Sequence, residues 1–255
     1  MSGIDVNCLL GHWPFRKIRK KTFVHLKQTH NENAIEYGYI SSLNSIFYND
    51  PFEGDIELHD IIKDSLYRHI LTVNPILPGY RDDIESGIKL FGIKGVRIYP
   101  GYHGYNLNNS HFLELCKVLK YYGIPLFLSL RLEDERLDYI VKPKILKMEE
   151  VGIFLSKNTD LRIMLLTFRN EELLQLKDML LTHPDAYYDT SGLKNHLFAI
   201  ETSIGDFGCD RMVYGSQYPL FCMKSTIFLI KDAELDQTVK ERIFYKNAGT
   251  LFKNI

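Results

Sequence analysis

Apolar residues along this chain cluster in short runs rich in Val, Ile, Leu and aromatic side chains, separated by Gly, Pro, Asn and charged stretches. Such runs read as strands, and they fall at 3–7, 37–42, 69–74, 93–99, 124–130, 161–167, 186–190 and 211–215. Between them lie longer stretches with helical patterning, among them Asn109–Tyr122, Glu171–His183 and Lys194–Phe207. In the first of these, Phe112, Leu115, Val118 and Leu119 recur at three- and four-residue spacing, which places them on one helix face. Strand alternating with helix about eight times, with no long polar linker, predicts one parallel α/β domain over residues 1–255. An open doubly wound sheet fits the alternation as well. The G-x-G-x-x-G fingerprint that would support it is missing after the first strand, where Gly3 and Gly11 do not form one. The expected fold is therefore a single, slightly distorted (β/α)8 TIM barrel.

Bulk properties narrow the function classes. A chain of 255 residues suits one barrel. A net charge of -1 leaves no global attraction to nucleic acid or anionic membrane. The basic run Arg16-Lys17-Ile18-Arg19-Lys20-Lys21 is either an anion patch or a solvated loop or helix start. Cys8, Cys116, Cys209 and Cys222 show no C-x-x-C spacing and read as reduced core residues. No apolar stretch reaches the ~20 residues of a membrane helix. Met1-Ser2-Gly3-Ile4-Asp5 leads directly into a strand, so no signal peptide is expected and the setting is cytoplasmic.

In a parallel barrel, ligands bind where the strands end and the following loops begin. That rule selects Asn7 with Gly11–Pro14, Tyr99–Tyr105, Ser129–Arg136, Thr167–Asn170, Asp189–Gly192 and Ser216–Pro219 as mouth segments. Ser129-Leu130-Arg131-Leu132-Glu133-Asp134-Glu135-Arg136 is the richest of them. Alternation from Ser129 turns Arg131 inward, where its guanidinium can hold a carboxylate or phosphate, with Asp134 and Arg136 orienting it or acting on substrate. The same residues also suit a loop ion-pair network. His103, in Tyr99-Pro100-Gly101-Tyr102-His103-Gly104-Tyr105, is a candidate acid/base near neutral pH, or a structural hydrogen bonder. His12 has the same standing, and Trp13, the one tryptophan, is a ligand wall or a lid over the core. Arg97 is expected to point inward and to pair with Asp5 in a structural role.

Five further segments, in order, resemble the amidohydrolase-related family of metal-dependent hydrolase barrels, whose members include non-oxidative decarboxylases. They are Ile4-Asp5 at the first strand, Gly92-Ile93-Lys94-Gly95-Val96-Arg97 at the fourth, and Gly123-Ile124-Pro125 before the fifth. Tyr214-Gly215-Ser216-Gln217-Tyr218-Pro219 is similar to the family's G-S-D-x-P, and Arg242-Ile243-Phe244-Tyr245-Lys246-Asn247-Ala248 to its closing helix. The resemblance puts the family's metal ligands on Asn7 and Leu9 (first strand), Ser129 (fifth), Thr167 (sixth) and Gln217 (eighth). A catalytic zinc wants about three His, Asp, Glu or Cys ligands, so no family-type metal and no cofactor are expected. A site assembled from His12, His103 and Asp134 is a remaining option without local spacing to support it. Asn7, Ser129, Thr167 and Gln217 are nonetheless polar, which favours a hydrated ligand pocket over a filled core.

Two functions follow. One is a metal-independent hydrolase or decarboxylase-like lyase acting on a small anionic metabolite, with His103 and Asp134 catalytic and Asn7, His12, Trp13, Tyr99, Ser129, Arg131, Arg136, Thr167 and Gln217 binding substrate. The other is a catalytically inactive barrel that binds a metabolite or supports a partner, as a homo-oligomer or paired with an active homologue.

Overall fold

The computed structural model describes residues 2–134, 142–194 and 197–252. Its strands are β1 (Gly3–Leu10), β2 (Ile35–Ser42), β3 (Arg68–His69), β4 (Leu71–Thr72), β5 (Val96–Ile98), β6 (Leu126–Ser129), β7 (Ile163–Leu166), β8 (Ala186–Asp189) and β9 (Met212–Val213). All neighbouring pairs are parallel, in the order β1-β2-β3 and β4 through β9. The expected strand at 69–74 is thus two short pieces interrupted at Ile70, whose amide bonds Ile40 O at 2.9 Å and keeps the piece joined to β2. Backbone bonds from Val6 N to Tyr214 O (3.0 Å), Gln217 N to Asn7 O (2.8 Å) and Leu9 N to Tyr218 O (2.8 Å) bring the last strand against the first. The result is a TIM barrel of eight strand positions, as the patterning predicts.

The two-residue period of a strand sorts its side chains between barrel and helices. Val96, Ile98, Leu126, Leu128, Ile163 and Leu165 pack outward into the large apolar layer beneath the helices. Helix Ser110–Tyr122 supplies Phe112, Leu115, Cys116 and Leu119 to that layer. Asn109 caps its start by accepting from the amides of His111 and Phe112, and Gly123, at φ 66°, ends it. Full burial of a Leu or Phe stabilises by about 1.5–3 kcal/mol, so this face holds the helix in place.

The inward positions form a second cluster at the barrel floor. Ile4, Val6, Tyr39, Ile70, Phe127, Met164, Leu166, Tyr187 and Val213 pack there against Ala248 and Leu251 of the last helix, Asn247–Leu251. Two residues further along the strands, the inward set turns polar: Ser41, Thr72, Arg97, Ser129 and Asp189, all buried. A third cluster of Leu9, Trp13, Leu43, Ile46, Tyr99, Leu132 and Leu220 covers part of the mouth above this layer.

Some elements differ from the sequence expectation. The helix expected over Glu171–His183 is two helices, Asn170–Gln175 and Lys177–Thr182, because Leu176 leaves helical geometry at φ -101° and ψ 7°. Helix Ala199–Phe207 begins later than the expected Lys194, which leaves Lys194 in the loop after β8. Of the four cysteines, all free, only Cys8 and Cys116 are core residues; Cys209 is half-buried and Cys222 exposed. Among the described residues no helix is long and apolar enough to cross a membrane.

Candidate active site

The polar layer is a connected network. Asn7 Nδ2 donates to Asp189 Oδ2 at 2.7 Å and approaches Ser191 Oγ at 3.2 Å. Ser191 Oγ in turn donates to Thr167 Oγ1 at 3.2 Å, and the Thr167 amide donates to Asp189 Oδ1 at 2.8 Å. Burial raises the Asp189 pKa; bonds from Ser191, the Thr167 amide and Asn7, with the charge of Arg97, offset part of that rise.

Backbone geometry at this level is specialised. A Cβ on Gly215 would lie 2.3 Å from Asp189 Oδ2 and 3.0 Å from Asn7 Cβ, so only glycine lets the two strands converge on the carboxylate. Thr167 and Gln217 both have positive φ, at 64° and 58°. For β-branched Thr167 that conformation is a marked outlier, and such strain gathers at functional sites.

Arg97 is 1 % exposed, and its Nε donates to Ser129 Oγ at 2.7 Å. Its guanidinium lies 5.1 Å from the centre of the Tyr99 ring, and the buried Nη2 has no hydrogen-bond partner. The expected direct pairing with Asp5 is not what forms. Asp5 accepts instead from Ser216 N (2.9 Å) and Asn7 N (3.0 Å) and pairs with His30 Nε2 (3.3 Å). Burial pushes the Asp5 carboxyl up, but His30 and Ser216 outweigh it and hold the pKa below its ordinary value. Asp5 therefore ties the first and last strands, and Arg97 feels it only at longer range.

Above the layer opens a cavity of about 420 Å3, lined by Arg16, Arg131, Glu133, Asp134, Thr167, Arg169, Lys194, Gln217 and the apolar Leu132, Leu220 and Phe221. Arg131 turns inward as expected, but Glu172 takes both its terminal nitrogens and Thr167 O accepts from Nη1 at 2.8 Å. Lys194 Nζ donates to Gln217 Oε1 at 2.9 Å and sits 3.7 Å from the centre of the Phe221 ring. Burial lowers its pKa to about 8, with Asp189 and Asp134 pulling upward and Arg131 and Arg169 downward. Arg16, exposed like the other charged residues of its basic run, pairs with Glu133 and donates to Leu220 O at 2.6 Å. A groove of about 510 Å3 lies between helices Ser110–Tyr122 and Met148–Lys157. It sits on the helical exterior and contains no strand-end group.

The expected site residues separate into groups. Thr167, Arg131, Asp134 and Gln217 line the cavity, and Asn7 and Ser129 lie in the buried layer. Tyr99 and Trp13 belong to the apolar plug, Trp13 ringed edge-on by Phe15, Phe47 and Tyr102. His103 does not line the cavity: its Nε2 meets Ile46 O at 3.1 Å, and burial lowers its pKa to about 4, so it is neutral at pH 7. His12 is exposed and only its backbone amide is engaged, with Asn44 Oδ1 at 2.8 Å. Arg136 lies outside the described residues. Lys194 and Glu172 are neighbours of the cavity that strand-end patterning misses, because they come from a loop and the first turn of a helix, whereas Arg169 falls within the expected Thr167–Asn170 segment without being singled out. Asp189 falls within an expected mouth segment without being singled out.

An amidohydrolase family model matches residues 57–253. The chain belongs to the amidohydrolase family. Solved barrels align over nearly the whole chain. A TIM-barrel protein from Bordetella bronchiseptica gives a TM-score of 0.75 at 14% identity, covering 98% of each chain. A dihydroxybenzoic acid decarboxylase from a Polaromonas species, solved with manganese and the inhibitor 2-nitroresorcinol, gives 0.73 at 13% identity, covering 99% of this chain and 97% of that one. A 5-carboxyvanillate decarboxylase from Sphingomonas paucimobilis gives 0.71 at 15%, covering 98% of each. No curated protein matches the sequence.

The family's divalent ion can be tested against this donor set. Leu9 is in the plug and offers no donor atom. Asn7 turns its amide nitrogen to Asp189, Ser129 Oγ accepts from Arg97, and Gln217 Oε1 accepts from Lys194. Two of the corresponding positions therefore already face a cationic nitrogen, and the set does not fit a divalent ion. His12, His103 and Asp134 do not converge either. Among the described residues, the group of ligand-type side chains close enough to share an ion is Asp5, Cys8 and His30, fully buried, where His30 Nδ1 also bonds Tyr67 Oη at 2.6 Å. Burial and the Asp5 charge push the Cys8 thiol well up, so it stays protonated in this network.

Proposed function

We propose that the chain is a hydrolase or decarboxylase-like lyase of amidohydrolase ancestry, acting on a small anionic metabolite at the barrel mouth without the family's metal. The observation that carries this reading is the cavity itself. Arg16, Arg131, Arg169 and Lys194 line it against the carboxylates Glu133 and Asp134, above a buried polar network. Excess positive charge in a low-dielectric cleft attracts and orients an anion. Leu132, Leu220 and Phe221 supply an apolar wall suited to a ring. The aligned decarboxylases act on hydroxylated benzoates by their names, so an aromatic hydroxy acid is the substrate class to try first.

The proton-transfer role moves from His103 to Lys194, with Asp134 beside it in the cavity lining. An ammonium with a pKa near 8 can release and regain a proton close to neutral pH, whereas His103 is committed to a backbone carbonyl. The test is incubation with 2,6-dihydroxybenzoate and 5-carboxyvanillate, following carbon dioxide release and substrate loss, for the native chain and Lys194→Met. Turnover abolished by the substitution supports the reading; turnover unchanged by it removes Lys194 from the mechanism.

A second reading is a metabolite-binding barrel without turnover, alone or paired with an active homologue. It is favoured by the Arg131–Glu172 pair, which occupies that one guanidinium before any ligand enters. Saturable binding of the same acids with no product formed would select it.

A further inference from the structure

We propose that two organic cations, Arg97 and Lys194, hold the place and the charge of the family's divalent ion in this barrel. Of the positions that correspond to metal ligands, Ser129 and Gln217 each turn an oxygen to one of these side chains, at 2.7 and 2.9 Å, while Thr167 Oγ1 accepts from Ser191 and Asn7 Oδ1 meets neither cation. Arg97 reaches Ser129 from β5, and Lys194 reaches Gln217 from the loop after β8. The two charges together equal that of a divalent ion. They also answer the same need, because the buried carboxylate Asp189 interacts electrostatically with both. A buried charge without a counter-charge is strongly unfavourable, and a guanidinium keeps its charge in such surroundings.

The geometry on the Arg97 side is that of a filled ion position. Its side chain bonds Ser129 and lies over the Tyr99 ring, it feels the charge of Asp189, and Nη2 and Asn7 Oδ1 both remain buried without partners. A donor and an acceptor left open in one polar layer suit a hydroxyl group, which can both accept and donate, better than a metal, which would have to approach a fixed cation. The exchange also accounts for polar residues at Ser129 and Gln217, whose oxygens now meet cationic N–H groups.

The proposal is independent of any turnover, since its readouts are metal retention and stability. The native chain, incubated with excess Mn2+ or Zn2+ and desalted, is analysed by inductively coupled plasma mass spectrometry and thermal melting. Well below one ion per chain and an unchanged melting temperature are expected; about one retained ion per native chain would overturn the proposal. Arg97→Met removes the charge while keeping bulk, and Arg97→Lys retains a charge. Arg97→Met is expected to melt well below the native chain and to be raised by Mn2+, with Arg97→Lys closer to native and indifferent to it. Equal Mn2+ responses of the two variants would also overturn the proposal. Should Arg97→Met fail to fold, native metal retention and the Mn2+ response of Lys194→Met decide alone, with a Mn2+-raised melting temperature expected for the latter and none overturning it.

Discussion

Lys194 Nζ is shared between Gln217 Oε1, at 2.9 Å, and the face of Phe221, 3.7 Å from the ring centre. The two contacts fix a titratable ammonium over the cavity, and burial brings its pKa down to about 8 from 10.5. Between those values the unfolded chain binds more protons than the folded one, so this group makes stability rise with pH from about 8 to 10.5. Below pH 8 the charged side chain carries a constant desolvation penalty. Lys194→Met should therefore lose its stability advantage, or deepen its deficit, relative to the native chain as pH climbs through that window. Paired melting curves at steps of pH check it, and parallel curves would refute the assignment. Affinity for an anionic ligand should move oppositely, weakening as the ammonium deprotonates above about 8.

His103 offers a contrasting titration. Its pKa is lowered to about 4 by burial, so the unfolded chain takes up a proton first as the solution is acidified. The stability linked to neutral His103 is complete above pH 6.5 and is lost as pH falls toward 4. His103→Gln, which can still donate to Ile46 O, should flatten the acid limb of the stability curve in that window. Ligand binding should stay within about twofold, a change of well under 1 kcal/mol. A large loss of binding at unchanged stability would return His103 to the site.

How far the sequence reaches can be seen at single positions. The alternation that put Phe127 inward also put Ser129 inward two residues later, and the same step carries Tyr187 to Asp189. Fold and polar layer were thus legible, because a strand's period is local and strict. The partners were not. Whether Arg131 faces a substrate or Glu172 depends on where helix Asn170–Gln175 starts, and sequence separation says nothing about that distance. Lys194 escaped for a related reason: its loop brings it to Gln217, which is distant in sequence but adjacent in the barrel.

Gly215 is the position where close approach leaves no room for a side chain. A Cβ would stand 2.3 Å from Asp189 Oδ2, in a layer where Asn7 and the Thr167 amide already hold the carboxylate. Gly215→Ala should destabilise by about 1–3 kcal/mol through overpacking and push Asp189 off its donors. Asn7→Ala should cost a similar amount, roughly 1–3 kcal/mol, by leaving the carboxylate short of a hydrogen bond. Denaturant unfolding measures both. The two sites touch, so the double variant should cost less than the sum, and full additivity would mean that Asp189 is not their shared partner.

Glu172 holds two things at once: the Arg131 guanidinium, and the Arg169 amide at 2.8 Å where the following helix begins. Both members of the pair are largely buried, with side-chain exposures of 6% and 15%. Removing one partner of such a pair strands the other charge. Glu172→Ala is therefore expected to destabilise by about 2–4 kcal/mol, somewhat less than a fully buried pair. Glu172→Gln keeps an acceptor for the Arg169 amide and should lose less. Arg131→Met combined with Glu172→Met removes the stranded charge and should recover much of the loss measured for Glu172→Ala. Anion affinity separates the two readings of Arg131. If Glu172 is the arginine's permanent partner, Glu172→Gln leaves affinity for hydroxybenzoates unchanged. If an anion competes for the guanidinium, the same substitution tightens binding, by a factor that isothermal titration calorimetry would read directly.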